Sequence, residues 1–281
     1  MTELEELRFL NSILLEELPH CQRDAEGFSP DAASQRRLLR ALMNVRPPKK
    51  LRTDFITVQD RLLQREERKK GIVDIATLPT LKESALYTGK HASQLILWQG
   101  DITRLNADAI VNAANSALLG CFCPGHRCID NEIHSAAGLQ LRNACAQLML
   151  AQGHDEPTGQ ARLTPAFNLP SRYVLHTVGP IIPPQHSRAS AAEAAQLAAC
   201  YRSCLELAAE NDLHSIAFCC ISTGEFHFPN EQAAQIAIRT VLEELDRHPA
   251  LKVVFNVFKD KDAAPYQREL QSFRNSPCIH S

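Results

Sequence analysis

The chain has 281 residues, of which 44% are apolar and 22% are charged, a balance typical of a soluble globular protein. No apolar run approaches the roughly 20 residues that cross a bilayer, so we expect no transmembrane helix. The formal net charge of −2 excludes a broadly basic surface for nucleic acid, so a phosphate-bearing ligand has to be held locally, by backbone amides or a helix end.

The N-terminal segment MTELEELRFLNSILLEELPH is acidic and periodic, and it lacks the basic head and short apolar core of a secretory signal. We therefore expect a cytoplasmic protein that does not associate with membranes. In that compartment the ten cysteines favour free thiols or metal ligation over disulfide bonds. Five of them lie singly or in apolar stretches and are predicted to be small core residues: Cys145, Cys200, Cys204, Cys219 and Cys220.

Residues 1 to about 92 are predicted to form a helical extension. Apolar residues recur at helical intervals from Leu4 to Leu18 and again from Leu38 to Met43, where Pro47 and Pro48 end the second helix. A third helix is predicted in the segment DFITVQDRLLQREERKKG, which closes on a basic run and a glycine. We interpret the three helices as a cap packed on the main domain.

From residue 93 onwards, strand patterns alternate with helix patterns. Strands are predicted at 93–101, 108–115, 161–167, 173–179, 215–222 and 252–258, and helices at 129–152, 191–211 and 230–245. This alternation predicts an α/β fold with a mixed, mostly parallel central sheet between helical layers. We expect the main domain to span residues 93–275, with a C-terminal tail at 276–281, and ligands to bind beyond the carboxyl ends of the strands.

The segment GCFCPGHRCIDN carries a cluster of possible metal ligands: Cys121, Cys123, His126 and Cys128. Thiolate sulfur and imidazole nitrogen are the preferred ligands of zinc, but the spacing is not that of a zinc finger. A fourth protein ligand would close the site as a structural one, and the candidates are Cys123, His134 and Cys145. Three protein ligands with an open fourth position would instead be the catalytic pattern. An ordinary cysteine patch beside an incidental histidine is the simpler alternative.

Three segments together resemble the macrodomain family. They are QGDITRLNADAIVNAANSALLG at 99–120, CIDNEIHSAAG at 128–138 followed by HTVGP at 176–180, and ISTGEFHFP at 221–229. Macrodomains of the MacroD hydrolase type have a run of glycines where this chain has GCFCPGHRC. That departure is similar to the zinc-containing branch of the family, which also has a helical N-terminal extension. The elements LMNVRPP and VQDRLLQ resemble that extension, so the resemblance covers nearly the whole chain.

The resemblance implies one Zn²⁺ per chain, held by Cys121, His126 and Cys128, with Cys123 at a variable position as an accessory. It also implies that Asp130 is catalytic, although a residue near a helix N-terminus can equally serve as a cap. Further expectations concern two asparagines. Asn112 and Asn115 are expected to contact the distal ribose, because side-chain amides suit vicinal hydroxyls, and Asn115 is expected to share in catalysis.

Adenine recognition is expected from three residues. The Asp101 carboxylate would accept from the exocyclic amine, the Ile102 amide would donate to the ring, and Phe258 would pack on the base. The simpler alternatives are a turn cap for Asp101 and a core position for Phe258. The pyrophosphate is expected at the loop after the strand at 215–222, where Gly224 allows successive amides to face one anion. That loop consists of Ser222, Thr223, Gly224, Glu225 and Phe226.

These expectations describe a zinc-dependent protein-ADP-ribose hydrolase that removes mono-ADP-ribose from side chains, with Asp or Glu esters as the expected linkage. The alternative is a non-catalytic ADP-ribose-binding module with a structural zinc. A zinc deaminase is disfavoured because the His-x-Glu and Pro-Cys-x-x-Cys signature is absent. The expected partners are ADP-ribose and mono-ADP-ribosylated protein, with no nucleic acid, and the expected state is a monomer.

Overall fold

Six strands form the central sheet of the computed structural model, which describes residues 1–275. The strands in chain order are β1 (Val73–Asp74), β2 (Leu95–Gln99), β3 (Leu105–Asn106), β4 (Ala109–Ala113), β5 (Ala161–Pro165), β6 (Tyr173–Thr177), β7 (Ser215–Phe218) and β8 (Lys252–Val257). The sheet has the order β2-β8-β7-β4-β6-β5, and all neighbours are parallel except β5 and β6. Strands β1 and β3 form a separate parallel pair. The predicted α/β class and mostly parallel sheet are confirmed, whereas the predicted tail at 276–281 lies outside the described residues.

The burial of the strands follows from their positions in the sheet. Central strands β4 and β7 are almost wholly buried, as expected when helices cover both faces of a parallel sheet. Strand β5 is an edge strand, and Pro165 at its end is tolerated there because an edge position needs no further ladder hydrogen bond.

Helices flank the sheet in two groups. In chain order they are α1 (Glu3–Glu17), α2 (Gln22–Ala25), α3 (Ala32–Val45), α4 (Thr53–Lys70), α5 (Ile129–Ala137), α6 (Leu139–Gln152), α7 (Ala191–Glu210), α8 (Asn230–Leu245) and α9 (Asp260–Asn275). Helices α7, α8 and α9 pack in succession, while α5 and α6 form the other group and α3 and α4 contact α5. Across residues 1–275, none of the helices is both long enough and apolar enough to span a membrane.

The N-terminal helices have an apolar core of their own. Leu10 of α1, Leu39 of α3 and Leu62 of α4 are completely buried in it, and Leu139 joins it from the main domain. The predicted helical character of residues 72–92 is wrong. Gly71 ends α4 with a φ of 82°, and the chain then forms β1 and a series of turns. Apolar residues of this segment pack into the main core, so the boundary at residue 92 stays a prediction and the packing favours one near Gly71.

The helix predicted at 129–152 is divided in two. Gly138 has a φ of 94°, a conformation that glycine adopts without steric cost, and it separates α5 from α6. The buried backbone amide that begins α6 finds its acceptor on a distant helix, because the Leu139 N–H donates to Gln59 Oε1 of α4 at 3.0 Å.

Helix α9 is missing from the predicted elements. Pro265 lies inside it and hides the helical pattern, yet Tyr266 and Leu270 are buried against the main core. Asp260 and Asp262 in the first turn favour a helix start at this point.

Candidate functional site

A cavity of about 900 Å³ lies beyond the carboxyl ends of the central strands. Gly100 after β2, Ala114 after β4, Cys219 after β7 and Phe258 after β8 all line it. The cavity has the size of a small-molecule site, and its position is the one expected for an open α/β sheet. Every sequence-predicted site residue except Asn112 lies in its wall.

One end of the cavity is formed by Asp101, Ile102 and Phe258. Asp101 Oδ1 accepts from the amide of Thr103 at 3.0 Å and from its hydroxyl at 2.7 Å, so this oxygen caps the following turn. The second oxygen, Oδ2, lies 4.0 Å from Lys70 Nζ, and the adenine contact stays a prediction. Phe258 is 65% exposed, which excludes a core position and leaves an aromatic face beside the cavity.

Residues 222–226 form the cavity wall after β7, and we call them the phosphate loop. Ser222 is the left-handed residue of this loop, with a φ of 64°. A Cβ atom at Gly224 would meet nothing within 4 Å, so the glycine leaves open space for a ligand to approach the backbone. The path of Ser222 depends on Gly179, where a Cβ would lie 1.9 Å from Ser222 Oγ.

Asp130, in the first turn of α5, is held by two asparagines. Asn112 Nδ2 of β4 donates to Oδ1 at 2.8 Å, and Asn115 Nδ2 lies 3.4 Å from Oδ2. Burial raises the pKa of Asp130 to about 6, against the opposing effect of the Asn112 hydrogen bond. Asn115 lines the cavity, whereas Asn112 is fully buried behind Asp130, so its predicted ribose contact stays a prediction that this placement does not favour.

Residues 121–128 form a loop that we call the metal loop. Its donor atoms from Cys121, His126 and Cys128 all lie within 4.8 Å of one another, and all three residues are half-buried in the cavity wall. The Cys121 Sγ to His126 Nδ1 distance is 3.6 Å. Typical Zn–S and Zn–N bonds in a tetrahedral site place such a pair roughly 3.5 Å apart. The donor set and its spacing therefore fit zinc.

The other candidate ligands do not join this group. Cys123 is exposed, and His134 and Cys145 instead lie near His176 in a second, buried group. His176 is hydrogen-bonded on both ring nitrogens, to Thr164 at 2.9 Å and to Asn112 at 3.2 Å, and burial lowers its pKa to about 3. We interpret the second group as a neutral core cluster. Within residues 1–275 the first group has three protein donors, the number found in catalytic zinc sites.

A contact between loops crosses the cavity near the metal donors. His126 Nε2 lies 3.6 Å from Glu225 Oε1, so the free nitrogen of a predicted ligand faces a carboxylate of the phosphate loop. Metal-bound histidines commonly donate their second N–H to such a carboxylate, which fixes the orientation of the ring.

Several cavity residues were missed by sequence reasoning: Arg40, Phe122, Arg127, Asn256, Lys259 and Asp262. Phe122 and Arg127 are adjacent in the chain to the predicted metal ligands, and this adjacency could have been used to predict that they line the same site. Arg40 comes from α3 in the N-terminal helices, and no local pattern links it to a loop so distant in the chain. Arg142 of α6 supports the loop from outside the cavity, with its guanidinium 4.3 Å from the centre of the Phe122 ring.

Comparison with known proteins places this geometry in a family. The family model described as Macro domain matches residues 111–237. A protein-ADP-ribose hydrolase of Treponema medium is 49% identical over 95% of this chain and 99% of its own length. A protein of the same name from Staphylococcus aureus (strain MSSA476) is 46% identical over 82% of each chain.

Solved structures show the same fold. A Trypanosoma brucei macrodomain in complex with ADP is 30% identical, with a TM-score of 0.63 over 83% of this chain and 96% of its own. An Oceanobacillus iheyensis macrodomain mutant with ADP-ribose is 37% identical, with a TM-score of 0.58 over 65% of this chain and 94% of its own. The chain therefore belongs to the macrodomain family, as a hydrolase of the MacroD-like type.

Proposed function

We propose that this macrodomain hydrolyses the bond between ADP-ribose and a modified protein side chain, with zinc held by Cys121, His126 and Cys128. The observation that carries the proposal is the juxtaposition of three metal donors and the doubly held Asp130 in one cavity. The names of the relatives, protein-ADP-ribose hydrolase, support the same activity.

The cavity offers a place for each part of ADP-ribose. Adenine would lie between Asp101 and the exposed ring of Phe258, and the pyrophosphate would lie against the open backbone at Gly224. The distal ribose would then reach Asn115 and Asp130. Similarity to macrodomain structures that hold ADP-ribose supports ADP-ribose as the ligand of this cavity.

Asp130 would act as the general base. Its two oxygens are oriented by Asn112 and Asn115, so one lone pair can take a proton from a water molecule beside the distal ribose. The water oxygen forms a bond to the anomeric carbon of the distal ribose while the bond from that carbon to the acceptor oxygen breaks, and the proton taken up by Asp130 passes to the released acceptor group. Bound zinc would supply positive charge that polarises an oxygen next to this water. We propose Asp and Glu esters as the linkage, because a carboxylate is a good leaving group.

The test combines metal analysis with ADP-ribose release from a protein that is mono-ADP-ribosylated on glutamate. We expect about one zinc per chain, a three-ligand site being the catalytic pattern. Release in an Asp130→Asn variant should fall by at least about 100-fold, the low end of general-base catalysis, while ADP-ribose binding measured by calorimetry is retained.

An unmodified chain that binds ADP-ribose but releases none from aspartate-, glutamate- or serine-linked substrates would contradict the proposal. It would indicate a binding module in which zinc, if present, stabilises the loop. A variant that loses release and binding together would leave Asp130 with a structural role and would equally contradict its assignment as the base.

A further inference from the structure

The metal loop makes few hydrogen bonds within itself. The His126 amide donates to the Cys123 carbonyl at 3.2 Å, and Asn131 Nδ2 of α5 donates to the same oxygen at 3.0 Å. The loop contains Pro124 and Gly125, and an ensemble of conformations is the default for so short an irregular segment unless other elements restrain it. Beyond the Asn131 bond from α5, the loop is restrained by the N-terminal helices.

Arg40 of α3 holds the loop at its histidine ligand. Its Nη2 atom donates to the carbonyl oxygen of His126 at 2.9 Å and to Asn131 Oδ1 at 2.9 Å. The same guanidinium pairs with Glu132 at 2.8 Å, so one side chain joins the metal loop to the first turn of α5. The planar guanidinium of arginine is suited to joining these groups because its several N–H donors can bind more than one acceptor at the same time.

Asn44, one turn further along α3, holds the residue before the ligand. Asn44 Oδ1 accepts from the amide of Gly125 at 2.9 Å, and its Nδ2 donates to Ser135 Oγ of α5 at 3.1 Å. Asn44 is buried, and Gly125 has a φ of 65°, so this bond fixes a left-handed turn directly before His126. The side chain thus links the loop to the helix that carries Asp130.

The end of α3 is attached to the chain that enters the loop. Buried Arg142 donates to the carbonyls of Met43 at 2.7 Å and Arg46 at 2.6 Å, which are orphan acceptors at a helix C-terminus. It also donates to the carbonyl of Leu119 at 2.7 Å, just before the metal loop. Both sides of the loop are therefore tied to the same helix.

We propose that α3 is a positioning element of the metal centre, in which Arg40 and Asn44 hold the metal loop in the shape that brings its three donors together. The inference rests on the proposed zinc site, and it assigns a role to helices that lie outside the catalytic fold. Arg40 and Asn44 act through the backbone at Gly125 and His126, and the metal is retained because the donors are already converged before it binds.

The first test is the rate at which zinc passes from the full-length protein to a chromogenic chelator. Arg40→Ala and Asn44→Ala should lose zinc about tenfold faster than the unmodified chain, the low end of the effect seen when outer-shell support of a ligand is removed. Arg36→Ala is the matched control. Arg36 lies one turn earlier on α3, is 26% exposed against 25% for Arg40, and pairs with Glu66 instead of the loop.

Arg40→Lys adds a variant that keeps the positive charge beside Glu132 without the fork that reaches the His126 carbonyl. It should lose zinc nearly as fast as Arg40→Ala, with a melting temperature equal to that of Arg36→Ala. Zinc loss from Arg40→Ala no faster than from Arg36→Ala would overturn the proposal.

Hydrogen exchange of the metal-free protein separates this inference from the proposed function. The Gly125 amide should exchange faster in Asn44→Ala, while Asn44→Asp, which keeps the acceptor oxygen, should restore its protection. If the unmodified chain bound no zinc, the proposed zinc chemistry would fail, but faster loop exchange in Asn44→Ala would still support positioning by α3. Unchanged exchange in both variants would overturn it.

Discussion

Asn112 Nδ2 lies 2.8 Å from Asp130 Oδ1, and both side chains are buried. The bond connects the central strand β4, which contains Asn112, to the first turn of α5, which contains Asp130. The orientation of the proposed base is therefore set by the sheet, the most rigid part of the fold, and not only by the loop that precedes it.

Asn112→Ala should reduce ADP-ribose release about tenfold or more and leave the affinity for ADP-ribose within about threefold, because the side chain positions Asp130 without reaching the cavity. Release kinetics and calorimetry on the same preparation measure both quantities. If affinity falls as much as the rate, Asn112 contacts the ribose directly, as the family resemblance implied.

Cys121→Ala should remove the bound zinc, whereas Cys123→Ala should keep it. The two cysteines are separated by one residue, but only Cys121 contributes a donor to the converged group, and Cys123 is exposed. Elemental analysis of the purified variants gives the zinc content directly. Equal zinc loss from both would show that the ligand set differs from the one proposed.

Gly224→Ala should affect ADP-ribose binding, whereas Gly179→Ala should affect the stability of the fold. A methyl group at Gly224 meets no protein atom within 4 Å, so thermal stability should be unchanged while ADP-ribose affinity falls about tenfold because the methyl occupies ligand space. A methyl group at Gly179 would collide with Ser222, and such overpacking costs about 1–3 kcal/mol. Thermal melts and calorimetry test both. Undiminished affinity in Gly224→Ala would remove the phosphate loop from the binding site.

The N-terminal helices should lose stability in acid through Glu6. Burial alone would raise the pKa of Glu6, but hydrogen bonds from Arg65 at 2.7 Å and Arg61 at 2.5 Å outweigh it and hold the pKa below 4.5. The stability that these bonds contribute is fully present when the pH is above 4.5, the pKa of Glu6 in the unfolded chain. It is lost as the pH falls through the lower pKa of Glu6 in the folded chain.

Glu6→Gln should therefore be less stable than the unmodified chain at neutral pH, and the difference should shrink as the pH falls below 4.5 and Glu6 itself becomes protonated. Urea unfolding at a series of pH values measures it. A constant difference across the series would show that Glu6 acts by packing and not by its charge.

Much of the fold could be predicted because its signals are local. The six sheet strands are short apolar runs bounded by polar turns, and the metal donors fall within one short segment, so neither needs knowledge of distant contacts. The loop at 222–226 was singled out as a candidate site for the same reason, since it comes shortly after the buried strand β7. The left-handed Ser222 and its close approach to Gly179 were not predicted, because this contact joins residues that are distant in the chain.

Other features were decided only by tertiary structure. The break at Gly138 depends on Gln59 of a distant helix, which satisfies the amide that the break exposes. The burial of Asn112 beneath Asp130 arises only when α5, which carries Asp130, packs against β4, which carries Asn112. Neither contact leaves a pattern along the chain.

The sequence by itself determined the fold class and singled out the segments 121–128 and 222–226 as candidate sites, because periodicity and close spacing are properties of neighbouring residues. Tertiary structure alone decided that Arg40 and Asn44 of α3 support the metal loop. These residues meet the loop only after the N-terminal helices dock on α5, and the hydrogen bonds that follow join atoms more than eighty positions apart.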